Sequence, residues 1–279
     1  MSFSLSDLFT DIPTIDVVDI GASPIDGEPP YQALIPLGKA RVVSFEPNPE
    51  QFQALQANLF PGLTVLPYAI GDGQDGILNI CQAPGMTSLL MPDREILEHF
   101  YGFDQWSQIV RQEPVSTYRL DDVSEITAID YLKLDVQGGE LAILKHATQR
   151  LQQTLVIHTE VQFVPFYQDQ PLFAELDQLL RANGFYLHSL KPLIHRTFKP
   201  LLVNNDIFAG LNQLLWGDAV YVKKFTGFAD LTSAQLLKIA LIMHDLYGSF
   251  DLCALALEHV DRQTHSDRQI TYLDRLTGQ

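Results

Sequence analysis

Three carboxylates stand where their residue type and surroundings could do chemistry together: Asp19, Glu46 and Asp135. Each falls at or beside the end of a short apolar or β-branched run, in Asp16–Ile20, after Arg41–Phe45 and after Tyr131–Leu134. The residues that follow, Gly21-Ala22-Ser23-Pro24, Pro47-Asn48-Pro49 and Gln137-Gly138-Gly139, cannot continue a strand. Strands ended in this way deliver their last side chains to the crevice beyond the carboxyl edge of an open α/β sheet, where ligands bind. Clustered like charges cost stability unless a cationic ligand or other partners compensate. A carboxylate at the first strand end repels the pyrophosphate of a dinucleotide. It attracts a ligand bearing ammonium and sulfonium groups and no phosphate, as S-adenosylmethionine does. Taken alone, the first segment is equally compatible with an ordinary strand and turn.

Further residues fit a nucleoside crevice. Glu46 follows Gly21 at the separation expected of an acid that accepts both ribose hydroxyls of an adenosine, and Pro47 and Asn48 flank it. Ala69 and Ile70 are candidates to pack an adenine ring and Asp72 to bond its exocyclic amine, although an ordinary loop explains them equally well. Downstream, the run Thr154–Thr159 delivers His158, Thr159 and Glu160 to the same edge. His99 is a lone histidine, a type more often packed or solvated than catalytic. Asp135 with Glu160 could hold a divalent cation in principle, but no His/Asp/Glu spacing is specific for one, and no metal site is expected.

The elements that position these residues are read from periodicity and turn chemistry. Strands are predicted at Leu63–Leu66, Ile77–Ile80 and Val115–Leu120 as well as at the runs above. Tyr31–Leu37 predicts a short helix, and Asn48 caps another in which Phe52, Leu55 and Leu59 recur at helical spacing, with Glu50 stabilising its first turn. Glu140 opens a helix whose apolar face is Leu141, Leu144 and Ala147. Between Cys81 and Glu113 the sheet rhythm is lost in an aromatic-rich stretch with a short helix near Asp93–Tyr101, either a substrate lid or a cover for a sheet edge. Pro171–Asn183 is amphipathic and ends at Gly184. Phe185–Leu190 and Ala219–Lys223 read as an antiparallel edge pair, with Lys191 to Asp218 an irregular segment between them. Two amphipathic helices, Ser233–Leu246 and Asp251–Val260, form the tail, which either packs on the sheet or mediates a homodimer.

Composition bounds the function. The 279 residues carry 34 acidic against 18 basic side chains, a net charge of −16. A phosphate backbone or an anionic membrane surface would be repelled, leaving a neutral sugar, lipid or small metabolite as partner. No apolar run is long enough to span a bilayer, so no membrane insertion is expected, and the start lacks the features of a secretory signal. Cys81 and Cys253 are too few for a disulfide scaffold, and a cytoplasmic protein with free thiols is the expectation.

The run Tyr131–Ala147, Tyr-Leu-Lys-Leu-Asp-Val-Gln-Gly-Gly-Glu-Leu-Ala-Ile-Leu-Lys-His-Ala, resembles the signature of the FkbM-type S-adenosylmethionine-dependent methyltransferases. Val-Val-Asp-Ile-Gly-Ala at the first strand, Phe-Glu-Pro-Asn-Pro, Ala-Ile-Gly-Asp and Thr-Glu-Val-Gln-Phe occur in the family's order, and the resemblance extends from about Ile15 to Val222. Two positions depart from the family pattern. Its glycine loop, Gly-Ala-Asn-Xaa-Gly, is replaced after Gly21-Ala22 by Ser23-Pro24-Ile25, and its Asp-Val-Glu-Gly carries Gln137 in place of glutamate.

The resemblance implies a Rossmann-like class I α/β fold with a mostly parallel seven-stranded sheet flanked by helices, over residues 1–225, followed by a helical extension over 226–279. It implies methyl transfer from S-adenosylmethionine to a hydroxyl of a sugar, glycan or small natural product. Cofactor contacts are expected from Asp19, Gly21, Ala22, Ser23, Glu46, Pro47, Asn48, Ala69, Ile70, Asp72, Asp135 and Gln137, and catalytic roles from Asp135, His158 and Glu160. A non-catalytic binding module on the same fold is the alternative left open by Pro24, Ile25 and Gln137.

Overall fold

The computed structural model describes residues 3–23 and 27–278; the altered loop positions Pro24 and Ile25 lie outside the described residues. A seven-stranded sheet has the order β3-β2-β1-β7-β8-β10-β9. Its strands are β1 (Ile15–Ile20), β2 (Ala40–Phe45), β3 (Leu63–Leu66), β7 (Tyr131–Leu134), β8 (Val156–Gln162), β9 (Phe185–Arg196) and β10 (Gln213–Lys223). β1, β2, β3, β7 and β8 pair in parallel, and β10 runs antiparallel to both β8 and β9. The order reverses between β1 and β7, and there the carboxyl ends open into a crevice.

Parallel strands must be covered on both faces, which is why β1 is buried at all six positions. On one face Val18, Ile20, Leu132 and Leu134 pack against Leu141, Leu144, Leu176 and Leu180 of the helices Glu140–Lys145 and Phe173–Ala182. On the other, Val17, Val42, Tyr131, Val156 and Val220 meet the helix Ser233–Asp245. Leu236, Ile239, Leu241 and Ile242 of that helix are fully buried, each stabilising the fold by about 1.5–3 kcal/mol relative to exposure. The tail therefore packs on the sheet, the first of the two arrangements its sequence left open.

Several boundaries differ from the expected ones. Ile77–Ile80 and Val115–Leu120 are parts of longer strands, β5 (Asp75–Cys81) and β6 (Ile109–Tyr118), which with β4 (Ala69–Ile70) form a separate three-stranded sheet. Tyr31–Leu37 is a 3₁₀ turn, Pro30–Leu34. The helix after Asn48 stops at Gln56, short of Leu59, because Pro61 and Gly62 follow closely, and none of its residues is fully buried. Near Asp93–Tyr101 only Arg94–Leu97 is α-helical. Much of the irregular stretch predicted between Lys191 and Asp218 is strand, since β9 runs on to Arg196 and β10 begins at Gln213. The tail helices are Ser233–Asp245 and Phe250–Thr264, and a third, Arg268–Thr277, was not anticipated.

The stretch between β5 and β6 has a small core of its own. Leu97, Phe100 and Phe103 pack with Phe166, Tyr167 and Leu215 at the carboxyl edge of the main sheet. It both covers that edge and, through Pro84 to Leu90, walls the crevice. No helix among the described residues is long and apolar enough to cross a membrane.

Candidate active site

Two clefts meet at the reversal point. The first, of about 310 Å³, lies over the ends of β1, β2 and the Ala69–Ile70 strand. Gly21, Ser23, Glu46, Pro47, Asn48, Ala69, Ile70, Asp72, Asp135 and Gln137 line it, with Tyr68, Thr117 and the Pro84–Leu90 wall. The second, of about 590 Å³, is lined by Asp19, Ala22, Tyr31, Lys133, His158, Glu160 and Asp218 among others. Ser23 and Asp135 face both. The structure thus brings every residue proposed for the site to one of two adjoining spaces. His99 is exposed and lines neither.

Backbone shape at the junction follows from glycine. Gly21 has φ +78°, and a Cβ there would lie 1.8 Å from the Asp135 carbonyl oxygen, so the first loop and the β7 end can approach only without a side chain. After Asp135 the chain turns through left-handed conformations at Gln137 (φ 57°) and Gly138 (φ 100°). Glu140 fastens this turn, its Oε1 accepting the Val136 N–H at 2.9 Å. Burial pushes the Glu140 carboxyl up to about 7.

Glu46 is buried and its Oε1 accepts the Asn48 N–H at 2.8 Å. Asn48 in turn caps the next helix. Burial, reinforced by the charge of Asp19, pushes the Glu46 carboxyl up to about 7 against the pull of the Asn48 N–H and Lys133. Asp72 is placed by Thr117, whose Oγ1 also holds the Gly73 N–H at 3.0 Å.

The charges of the second cleft are met inside the chain. Asp19 lies 3.1 Å from the Lys133 Nζ and accepts from the Tyr31 hydroxyl at 2.7 Å. Its carboxylate, expected to face a cationic ligand, is thus turned to a lysine on the neighbouring strand. Gln137 Nε2 donates to Asp135 at 3.0 Å and to Glu160 at 3.2 Å, and Gln162 donates to Glu160 at 2.5 Å. His158 stands between Tyr247, whose hydroxyl is 3.0 Å from Nδ1, and Asp218, 3.5 Å from Nε2. The Tyr247 hydroxyl also pairs with that of Tyr131 at 2.6 Å.

Tyr31, Lys133, Asp218 and Tyr247 were missed by sequence reasoning. Lys133 had a signal, since it alternates with Asp135 on a strand adjoining Asp19. Asp218 and Tyr247 had none, because their place beside His158 depends on β10 lying next to β8 and on the tail docking.

The first cleft suits the adenosine end of S-adenosylmethionine: apolar walls from Ile20, Phe45, Pro47, Ala69 and Ile70, a buried carboxyl for a diol, and the Ser23 hydroxyl, buried without a hydrogen-bond partner among the described residues. Sheet order, reversal point and cleft together define a Rossmann-like class I methyltransferase fold. The family model described as the methyltransferase FkbM domain matches residues 19–187, and the chain belongs to this family of S-adenosylmethionine-dependent methyltransferases. Similar solved structures include a precorrin-6y C5,15-methyltransferase from Geobacter metallireducens, 13% identical over 78% of this chain and 85% of that one, with a TM-score of 0.40. A magnesium protoporphyrin IX methyltransferase from Synechocystis, solved with bound S-adenosylmethionine, is 12% identical over 79% and 75%, with a TM-score of 0.37. No curated protein matches the chain.

Proposed function

We propose that the chain methylates a hydroxyl of a sugar, glycan or small natural product, with the cofactor's adenosine in the first cleft and the acceptor in the second. The observation that carries this reading is the meeting of an apolar, carboxyl-bearing cleft and a polar, carboxylate-rich one at Asp135 and Ser23. Glu160 and Asp218 offer acceptor oxygens to a polyhydroxylated molecule, and their charge, with that of the buried Asp19 behind them, disfavours a phosphorylated one.

In this scheme Glu46 accepts from the ribose hydroxyls, Ala69 and Ile70 pack the base, and Asp72 accepts from its amine. Gly21, Ser23, Pro47 and Asn48 supply the close backbone walls, Ala22 continues them on the side of the second cleft, and Gln137 holds Asp135 at the junction. The bound cofactor supplies an electrophilic methyl group on sulfur. The chain's contribution is to hold the acceptor oxygen in line with that methyl and to take its proton. Asp135 stands first for the proton because it faces both clefts, with His158 and Glu160 on the acceptor side.

Calorimetry with S-adenosylmethionine and S-adenosylhomocysteine, with NAD as control, tests the first cleft. Micromolar binding of both, silence from NAD and loss of binding on Glu46→Ala are expected. Transfer of labelled methyl from the cofactor to a panel of sugars and hydroxylated metabolites then tests the second. Tight cofactor binding with transfer to amines alone would overturn the hydroxyl reading, and silence from both cofactor forms would favour a non-catalytic module.

A further inference from the structure

The net charge of −16 argues against an anionic surface as a partner, but the charge is unevenly spread. From Phe185 to Gly217 the one carboxylate is Asp206, against Lys191, Arg196 and Lys199. The same stretch, around the tip of the β9–β10 hairpin, exposes five large apolar side chains: Leu193 (41%), Phe198 (50%), Leu201 (56%), Phe208 (56%) and Leu211 (53%). Exposed apolar groups gathered in one segment mark an interaction surface, whereas scattered ones need no explanation.

Ring contacts make part of this stretch one continuous surface. Phe198 stacks on Phe100 at 5.0 Å and Phe208 on Trp106 at 5.7 Å, and Phe103 joins the two inner rings at 6.2 and 5.1 Å. Phe198 and Phe208 are therefore the outward ends of one aromatic array. Cations interleave with it: the Arg196 guanidinium lies 5.5 Å from the Phe208 ring and 5.1 Å from Trp216, and the Lys199 Nζ lies 5.5 Å from Tyr101. Asp104, 3.4 Å from Lys199, and Asp206 offset part of this charge, while Lys191 is exposed beside Leu193. Four of the apolar groups stand out from an irregular loop, 197–212, with Leu193 on the adjoining end of β9, and they suit a deformable partner. Aromatic and leucine side chains beside lysine and arginine suit the boundary between hydrocarbon and anionic headgroups.

We infer that the hairpin tip and its loop, from Leu193 to Leu211, dock the protein peripherally on a bilayer containing anionic lipid. The acidic remainder of the chain orients the encounter, because it is repelled by the surface that attracts this face. The segment is also clasped to the excursion between β5 and β6, away from the Pro84–Leu90 part that walls the first cleft. The Lys199 N–H donates to the His99 carbonyl at 2.9 Å, and the Tyr101 hydroxyl donates to the Pro200 carbonyl at 3.0 Å.

Flotation of the full-length protein with vesicles of phosphatidylcholine alone, and of phosphatidylcholine mixed with phosphatidylglycerol, tests this without knowledge of any acceptor. The bound fraction is expected to be about tenfold higher or more on the mixed vesicles and to fall with added salt. Leu201→Ser with Leu211→Ser changes exposed groups, and separately Lys191→Glu with Lys199→Gln removes one exposed cation and one half-buried cation without setting a carboxylate against Asp104. Both pairs should melt like wild type and lose about tenfold or more of the flotation. Wild type that stays unbound on both kinds of vesicle overturns the inference, as do correctly melting variants that float like wild type. A wild-type dimer made monomeric by the leucine pair, with no vesicle binding, would overturn it in favour of a contact between copies of the chain.

Discussion

Replacing Glu46 by glutamine separates the role of its charge from that of its shape. Burial raises the carboxyl from 4.5 to about 7, so in the empty protein it is neutral over the pH range in which an exposed carboxyl is ionised. A ribose diol donates hydrogen bonds, and the ionised carboxylate accepts them better than the neutral form. Cofactor binding must then release the proton below pH 7. Affinity for S-adenosylhomocysteine should fall about tenfold per pH unit there, reaching roughly a hundredfold at pH 5. Folding responds in the opposite direction. Between pH 4.5 and 7 the folded chain holds a proton that the unfolded chain has lost. The stability contributed by the neutral carboxyl is complete below the unfolded value and gone above the folded one. The shift of about 2.5 units corresponds to about 3 kcal/mol. Glu46→Gln should remove both effects at this site, giving weaker binding at pH 8, a flat pH dependence of Kd and a smaller loss of stability from pH 5 to 8. Glu140, which titrates in the same range but lines neither cleft, leaves its part of the stability slope in both proteins. Calorimetry in buffers of different ionisation enthalpy reads the proton directly, with release of nearly one proton at pH 6 expected for wild type. A pH-independent Kd in wild type, or an unchanged slope in the variant, would refute the reasoning.

Three further substitutions test the frame around the site. Gly21→Ala places a Cβ against the Asp135 carbonyl at a backbone angle alanine rarely adopts; displacement of the β1 or β7 end should abolish cofactor binding in calorimetry and lower the melting temperature by several degrees. Lys238→Met leaves the buried Asp130 carboxylate without the cation that lies 2.5 Å from it, while Asp16 keeps Arg41, and denaturant unfolding should show a loss of about 3 kcal/mol. Tyr247→Phe keeps the ring beside His158 but removes the hydroxyl shared by His158 and Tyr131. A loss of about 1–3 kcal/mol is expected with cofactor affinity unchanged, and a fall in that affinity would contradict the placing of His158 in the acceptor cleft.

How far the sequence reveals the site depends on how local each signal is. Asp19, Glu46 and Asp135 were legible because each stands at a strand end marked by glycine or proline within a few residues. Their meeting at one crevice followed from the expected parallel sheet, whereas the place of β10 beside β8 was not legible, and with it went Asp218. The small sheet was missed for the same reason: β5 and β6 become one ladder across a 27-residue excursion, and their exposed Ile77 and Val110 give a weak inward pattern. Helical periodicity located Pro49–Gln56, although that helix has no fully buried residue, while Arg268–Thr277, with Ile270, Tyr272, Leu273 and Leu276 among polar residues, buries only Tyr272 fully and was not anticipated. The sequence also averages charge over the chain, which conceals the acid-poor segment around the hairpin tip.

The glutamine at position 137, where the family pattern has glutamate, acquires its meaning from this geometry. Asp135 and Glu160 end adjoining parallel strands, and a third carboxylate between them would call for a cation. The Gln137 amide instead gives one N–H to each, while its Oε1 accepts from Tyr167 at 3.3 Å and its backbone carbonyl from the Ser88 hydroxyl at 2.7 Å. Ser88 belongs to the wall of the first cleft and Glu160 to the lining of the second. One neutral side chain, held at φ 57°, therefore joins the wall of the first cleft, the junction carboxylate and the second cleft. Its donors offset the repulsion between Asp135 and Glu160 without adding charge. The departure from the family pattern is thus matched by its surroundings, and it favours a working site over a degenerate one.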